Sequence, residues 1–349
     1  VRLAMLAAVL ALVPAIVGAQ RSAPSAARGA APPPRTLDAA LLDSAYARGA
    51  AMPRLRSLLV ARDGRLVRER YWRGAARDRR TNVKSVSKSI VSALVGIAIA
   101  DGTLDSVRQP IAPFFPRELD ADADPRARAI TVEDLLSMRA GLASTSFDAY
   151  GAWVRSPNWV RHVLTRPVVA ERGGPMLYST GSSHVLSAVL TKASGRSTWA
   201  YAQRALGAPL GITIPRWTRD PQGIFFGGND MFLTPRAMLA FGQLYLDRGR
   251  ANGRQVVPAA WIDSSFVVRG YSPWNGHGYG YGWWHRRSGR HDVHFAWGYG
   301  GQYIFVVPSL GLVVVTTSDA NVASRGGEHL AAIHEMVDRW IVPGAEGID

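Results

Sequence analysis

The chain has no cysteine. That excludes a thiol nucleophile, a disulfide framework, a lipid-modified cysteine and any thiolate-held zinc, so stability has to come from packing. Lysine is nearly as scarce, since among 41 Lys plus Arg only Lys84, Lys88 and Lys192 are lysines. After residue 20 no apolar run is long enough to cross a bilayer. The sequence also lacks His-Glu-x-x-His, Gly-x-Ser-x-Gly and a phosphate-cradling Gly-rich loop with its lysine. These absences remove the usual anchors for a zinc peptidase, an α/β-hydrolase and a nucleotide site. His291 and His294 are three apart on a strand-like segment and would point to opposite faces, so neither a metal site nor a cofactor is expected.

What is present is a globular composition: 349 residues, 47% of them hydrophobic, are enough for one large core or two modest ones. Residues 1–19 place Arg2 before an apolar run that ends in small residues near Ala19. This is the layout of a signal peptide, and it predicts an exported protein, periplasmic or secreted after cleavage. Residues 20–37, rich in Pro and Ala, read as a tether. The formal charge of +15 raises the question of nucleic acid. The arginines are scattered, however, and the densest stretch, Arg62 to Arg80, alternates like an exposed hairpin face. A solvated surface is the better reading, with an anionic cell-envelope surface as a loose partner. Nothing in the sequence speaks to oligomeric state.

Local patterns predict the organisation. "LDAALLDSAYARGA" has helical spacing, and two alternating runs flank Asp63-Gly64, a tight-turn dipeptide. "SIVSALVGIAIADGTLD" is apolar nearly all round and closes at Gly102, as a buried helix would. Helical segments broken by Pro and Gly follow, one of them starting at Thr131 with Asp134 in its first turn, and another near Ser182. Beyond residue 255 the pattern becomes strand-like, with a turn at Pro308 to Gly311, before a last helix at "EHLAAIHEMVDRWIV". The expected fold is α+β: a sheet domain (residues 38–102 and 241–349) holding a helical insertion (residues 103–240).

The lysine scarcity points to chemistry. Arginine serves surface charge equally well, but only lysine gives up its proton when desolvated. Ser85 and Lys88 are three apart at the start of the apolar helix, so both side chains face one point, where a neutral amine can take the serine proton. Lys84 adds a like charge that would favour neutral Lys88 if the two side chains approach. Tyr178, in "MLYSTGSSHVL", can relay a proton to a leaving group if a nearby cation lowers its pKa. In "AWGYGGQYIFVVP", Gly298, Gly300 and Gly301 open a strand along which a ligand could lie and from which an N–H could reach an oxyanion.

In this order and at these separations, Ser-x-x-Lys, Tyr178-Ser179-Thr180 and the glycine-ended strand segment resemble the serine hydrolases of the class C β-lactamase, D-Ala-D-Ala peptidase and 6-aminohexanoate-dimer hydrolase superfamily. The likeness covers residues 38–342 and includes "LLSMRAGL" and "GGNDMFLTPRAMLAFGQLYLDRG". It implies a β-lactamase/transpeptidase-like fold, an antiparallel sheet flanked by helices with an inserted helical domain and the site between them. It implies Ser85 as acylated nucleophile, Lys88 as base and Tyr178 as proton relay. The oxyanion hole would be the N–H groups of Ser85 and Tyr299, and Thr180, Trp297, Gly298, Gly300 and Gly301 would contact substrate. Ala296 and Trp297 stand where penicillin-handling members carry Lys or His; Arg286, Arg287 or Arg290 could substitute for that cation. This departure, with Thr180 in place of Asn or Ser, resembles the esterase and linear-amide hydrolase branches. The expected function is therefore an exported serine hydrolase acting on small ester, amide or peptide substrates. The alternatives are a penicillin-binding D-Ala-D-Ala peptidase or weak β-lactamase, and a non-catalytic envelope receptor.

Overall fold

In the computed structural model, which describes residues 35–120, 123–321 and 327–347, Asp63 (φ 49°) and Gly64 (φ 77°) both take left-handed backbone. Two successive positive φ values give a turn whose twist matches paired strands, and the pair joins β1 (Leu55–Arg62) to β2 (Arg65–Tyr71). The other strands of this sheet come from the far end of the chain. They are β3 (Gly270–Tyr271), β4 (Gly278–Tyr279), β5 (Trp284–Ser288), β6 (His291–Gly298), β7 (Gln302–Val307) and β8 (Leu312–Ser318). The order is β2-β1-β8-β7-β6-β5-β4-β3, every neighbouring pair antiparallel. The residues between β2 and β3 carry most of the helices, so the sheet is assembled from the two ends of the sequence. This is the expected α+β fold. Residues 1–19, read from sequence as a signal peptide, and nearly all of the stretch read as a tether lie outside the described residues, which belong to the unit Pro34–Asp349.

Five of the helices build the core layers and the site: α1 (Ala39–Ala51), α2 (Ser87–Ala100), α3 (Thr180–Ser194), α4 (Pro235–Leu246) and α5 (Glu328–Met336). Side chains alternate across the sheet. Leu59, Ala61, Ala296, Ile304, Val306, Val313 and Val315 share one core layer with α2 and α4. Leu58, Val60, Phe295, Tyr303, Phe305 and Val307 share the other with α1 and α5. Residues Ser87 to Ala98 of α2 are all buried, which explains a helix apolar on every side.

Several sequence expectations shift in register. α3 begins at Thr180, two residues before the expected Ser182, and ends at left-handed Gly195 (φ 63°). α4, whose first residues fall in the pattern-based helical insertion, packs on the sheet: a Cβ on its Gly242 would lie 2.6 Å from Val313 Cγ1 and 2.7 Å from Ile304 Cγ2. The basic stretch is not all solvated surface, because Arg62 is buried and its guanidinium donates to the Thr36 carbonyl. His291 and His294 do diverge, His291 to Ser309 and Glu346, His294 to His285 and the ring of Phe266.

Candidate active site

Ser85 lies in the single 3-10 turn Lys84–Val86 that leads into α2. Lys84 is held at a positive φ of 53°, its N–H donating to Asn82 Oδ1 at 2.9 Å. A non-glycine residue in that region is strained, so the turn before Ser85 is fixed rather than relaxed. One turn along α2, the buried Lys88 brings Nζ to 3.0 Å from Ser85 Oγ and 2.7 Å from the Gly228 carbonyl. Burial pulls the Lys88 pKa down to about 7. A neutral amine fits both neighbours: its N–H donates to the Gly228 carbonyl, and its lone pair faces the Ser85 hydroxyl. The expected push from Lys84 plays no part, because the Lys84 side chain lines a separate cavity of about 450 Å³ with Arg56, Arg73, Arg79 and Arg80.

Tyr178 comes from the loop before α3 and meets the other two. Its ring lies 5.0 Å from Lys88 Nζ, and its phenol is near enough to Ser85 for the serine side chain to act on its pKa. The phenol pKa is not lowered by a cation, contrary to the expectation from sequence. Burial pushes it up to about 12 against the opposing effect of the Ser85 side chain. Tyr178 therefore keeps its proton at neutral pH and can donate it, while Lys88 is the group able to accept one.

The remaining expected residues divide. Gly298 ends β6 against the turn that carries Ser85, where a Cβ would sit 2.2 Å from the Val83 carbonyl oxygen and 3.2 Å from Lys84 Cβ. Only glycine allows that approach, and it carries Tyr299 into the turn beyond, closed by the Gly301 N–H donating to the Gly298 carbonyl at 3.3 Å. Gly300 (φ 84°) and Gly301 (φ 104°) form that turn and pack against Ala320, Ser318 and His329. In the structure they supply the geometry of that turn. Thr180 is buried with its hydroxyl paired to Ser146 Oγ at 2.9 Å, so it ties the start of α3 to the preceding loop. Trp297 is half-buried and packs at 5.4 Å from Trp284. Each of the arginines offered as a replacement cation has a carboxylate neighbour, Arg286 with Asp338 at 2.8 Å, Arg287 with Asp292 and Arg290 with Glu346 both at 3.7 Å. Ala296, in the cation's place, is fully buried in the core.

Sequence reasoning missed the Gly228 carbonyl and what holds it. A backbone oxygen has no residue-type signature, and the only available signal was the double glycine of "GGND". Gly228 has to be small, because a Cβ there would sit 2.7 Å from Thr180 Cγ2 and 3.2 Å from Lys88 Nζ. The loop is clamped to the segment leading to Ser85 by Asn82 Nδ2 donating to Asp230 Oδ1 at 2.8 Å and the Val83 N–H donating to the Met231 carbonyl at 2.9 Å.

The family model named Beta-lactamase matches residues 39–336. The chain belongs to the beta-lactamase family. A 6-aminohexanoate-dimer hydrolase of Paenarthrobacter ureafaciens is 27% identical over 234 residues, 60% of this chain and 56% of that protein, so the match spans little more than half of the relative's length. Among solved structures, an octameric penicillin-binding protein homologue from Pyrococcus abyssi aligns with TM-score 0.67 at 17% identity, over 88% of this chain and 78% of that one. A D-stereospecific amidohydrolase from Streptomyces sp. aligns with TM-score 0.65 at 17% identity, over 86% and 96%. At those identities the two structures speak to fold alone. They place this beta-lactamase-family chain in the same architecture as its sheet order and flanking helices do.

Proposed function

We propose that this protein is an exported serine hydrolase that cleaves ester or linear amide bonds through an acyl-enzyme on Ser85. The observation that carries the proposal is a buried amine with a pKa near neutrality, Lys88 Nζ, lying 3.0 Å from the hydroxyl it would deprotonate. Ser85 Oγ attacks the carbonyl carbon, forming the C–O bond as its proton passes to Lys88. The N–H groups of Ser85 and Tyr299 receive the developing oxyanion. Collapse of the tetrahedral species breaks the bond to the alcohol or amine, which leaves with a proton delivered by the Tyr178 phenol, itself reprotonated from Lys88. Water then attacks the acyl carbon, Lys88 again taking the proton, and release of the acid restores Ser85.

The names of the relatives, a dimer hydrolase and an amidohydrolase, agree with amide or ester cleavage. A β-lactam reading has less support, because a buried Ala296 offers no cation to the drug's carboxylate. Export rests on residues 1–19 and is checked by sequencing the N-terminus of protein recovered outside the cytoplasm.

The test of the site is covalent labelling. A fluorophosphonate probe should leave its adduct on the peptide containing Ser85, with none in Ser85→Ala. An adduct on another residue, or persistent labelling of Ser85→Ala, contradicts the assignment. Tyr178→Phe removes the donated proton but keeps the ring, so kcat should fall by about 10²-fold or more, and more for an alkyl amide than for an activated p-nitrophenyl ester that needs no proton to leave. An equal loss on both substrates would assign Tyr178 a packing role.

A further inference from the structure

The Tyr178 ring is the floor of an aromatic enclosure that the mechanism does not use. Phe147 lies 6.3 Å from it and Trp274 6.1 Å, and these two meet edge to face at 5.4 Å. Trp284 stacks on Tyr178 at 5.7 Å, Tyr279 sits edge-on at 6.4 Å, and Trp297 extends the group through Trp284. The inner rings are buried or half-buried, but Phe147 is 64% exposed and Trp274 47% exposed. Two large aromatic side chains thus remain open to solvent beside the hydroxyl that would be acylated.

Their exposure is built in, not left over from a loose loop. Phe147 is held at φ 54°, a left-handed conformation that costs energy for a bulky residue and persists only where the surroundings impose it. Here the surroundings are a run of hydrogen bonds that fastens the loop before Phe147 to the segment carrying Tyr178. Ser144 Oγ donates to the Tyr178 carbonyl at 2.7 Å, the Thr145 N–H to Ser179 Oγ at 3.2 Å, and the Thr180 and Gly181 N–H groups to Ser146 Oγ at 2.8 Å and Thr145 Oγ1 at 2.9 Å. This also gives Thr180 and Ser146 a purpose: they fix Phe147 relative to Tyr178. Trp274 arrives from the β3–β4 hairpin, whose turn is closed by the Ser272 N–H donating to the His277 carbonyl at 2.9 Å. Two independently anchored loops therefore present rings to one point next to Ser85.

The geometry points to a substrate subsite for an aromatic ring on the exposed side of the contacting Phe147–Trp274 pair, which the Tyr178–Trp284 stack backs. Offset and edge-on packing against several rings favours a flat aromatic group over a small alkyl one, and removes exposed apolar surface from water at the same time. The inference deepens the hydrolase reading and rests on it: the protein would act on esters or amides that carry an aryl or arylalkyl group.

Three small esters separate the possibilities: ethyl acetate as reference, ethyl phenylacetate with the ring on the acyl side, and benzyl acetate with it on the leaving side. At least one of the two ring-bearing esters should exceed the reference in kcat/KM by about tenfold or more. That ratio should fall toward one in Phe147→Ala/Trp274→Ala, yet persist in Val67→Ala, which trims an exposed apolar side chain on β2. Trp274→Phe should restore part of it. Thermal unfolding of each variant shows whether it is folded. A wild-type ratio near one for both esters, or a ratio untouched by the double variant, overturns the subsite while Ser85 labelling by the fluorophosphonate still stands. Loss of Ser85 labelling in the wild type overturns the hydrolase reading, and the subsite with it.

Discussion

Lys88→Arg should lower kcat/KM for a simple ester by about 10²–10⁴-fold, although the substitution keeps a long cationic side chain. An arginine stays protonated at any working pH and has no lone pair to accept the Ser85 proton. A planar guanidinium also cannot reproduce one point that is both 3.0 Å from Ser85 Oγ and 2.7 Å from the Gly228 carbonyl. Steady-state kinetics on a p-nitrophenyl ester measure the loss, and an activity within a few-fold of wild type would remove Lys88 from the mechanism. The same lysine leaves a stability signature. Its folded pKa of about 7 lies below the usual lysine range because of burial. Between pH 7 and about 10 the unfolded chain therefore holds a proton that the folded protein has released, and stability rises with pH across that window. Below pH 7 both states hold the proton, and the folded protein bears the full cost of the buried charge. Relative to Lys88→Met, wild type should gain stability from pH 7 to pH 10 in urea unfolding.

The second large effect is expected at Gly298. Alanine there would place its Cβ 2.2 Å from the Val83 carbonyl oxygen, an overlap with backbone that no side-chain rotation relieves. The strand end and the nucleophile turn must separate, and displacement of catalytic groups on the ångström scale costs about 10²-fold in rate. Overpacking of this kind also costs about 1–3 kcal/mol of stability. Gly327→Ala, whose added methyl meets nothing within 4 Å among the described residues, serves as the comparison. Equal kinetics for the two variants would mean that the β6 end plays no part in catalysis.

The legible parts of this protein were those where one residue type has one physical use. Asp63-Gly64 announced its turn because few dipeptides take two positive φ values, and α2 announced its burial through an unbroken apolar run. Lys88 stood out because arginine does nearly everything else a cation is needed for in this chain. What stayed hidden depends on partners distant in sequence. The Gly228 carbonyl reaches Lys88 across 140 residues, and Phe147, Tyr178, Trp274 and Trp284 become neighbours only when the loops fold. Exposed aromatics in loops look like ordinary surface until their neighbours are known. Thr180 was legible only in part for the same reason: its place in a motif suggested a ligand contact, and its hydrogen bond to Ser146 comes from a loop 34 residues away.

The claim on which the account turns is that neutral Lys88 accepts the Ser85 proton. The rate of Ser85 acylation by a fluorophosphonate, followed from pH 5 to pH 9, tests it most directly. If neutral Lys88 is the acceptor, the rate climbs about tenfold per pH unit and levels off near the Lys88 pKa of about 7, with no such step in Lys88→Arg. A flat profile, or the same step in both proteins, would contradict it.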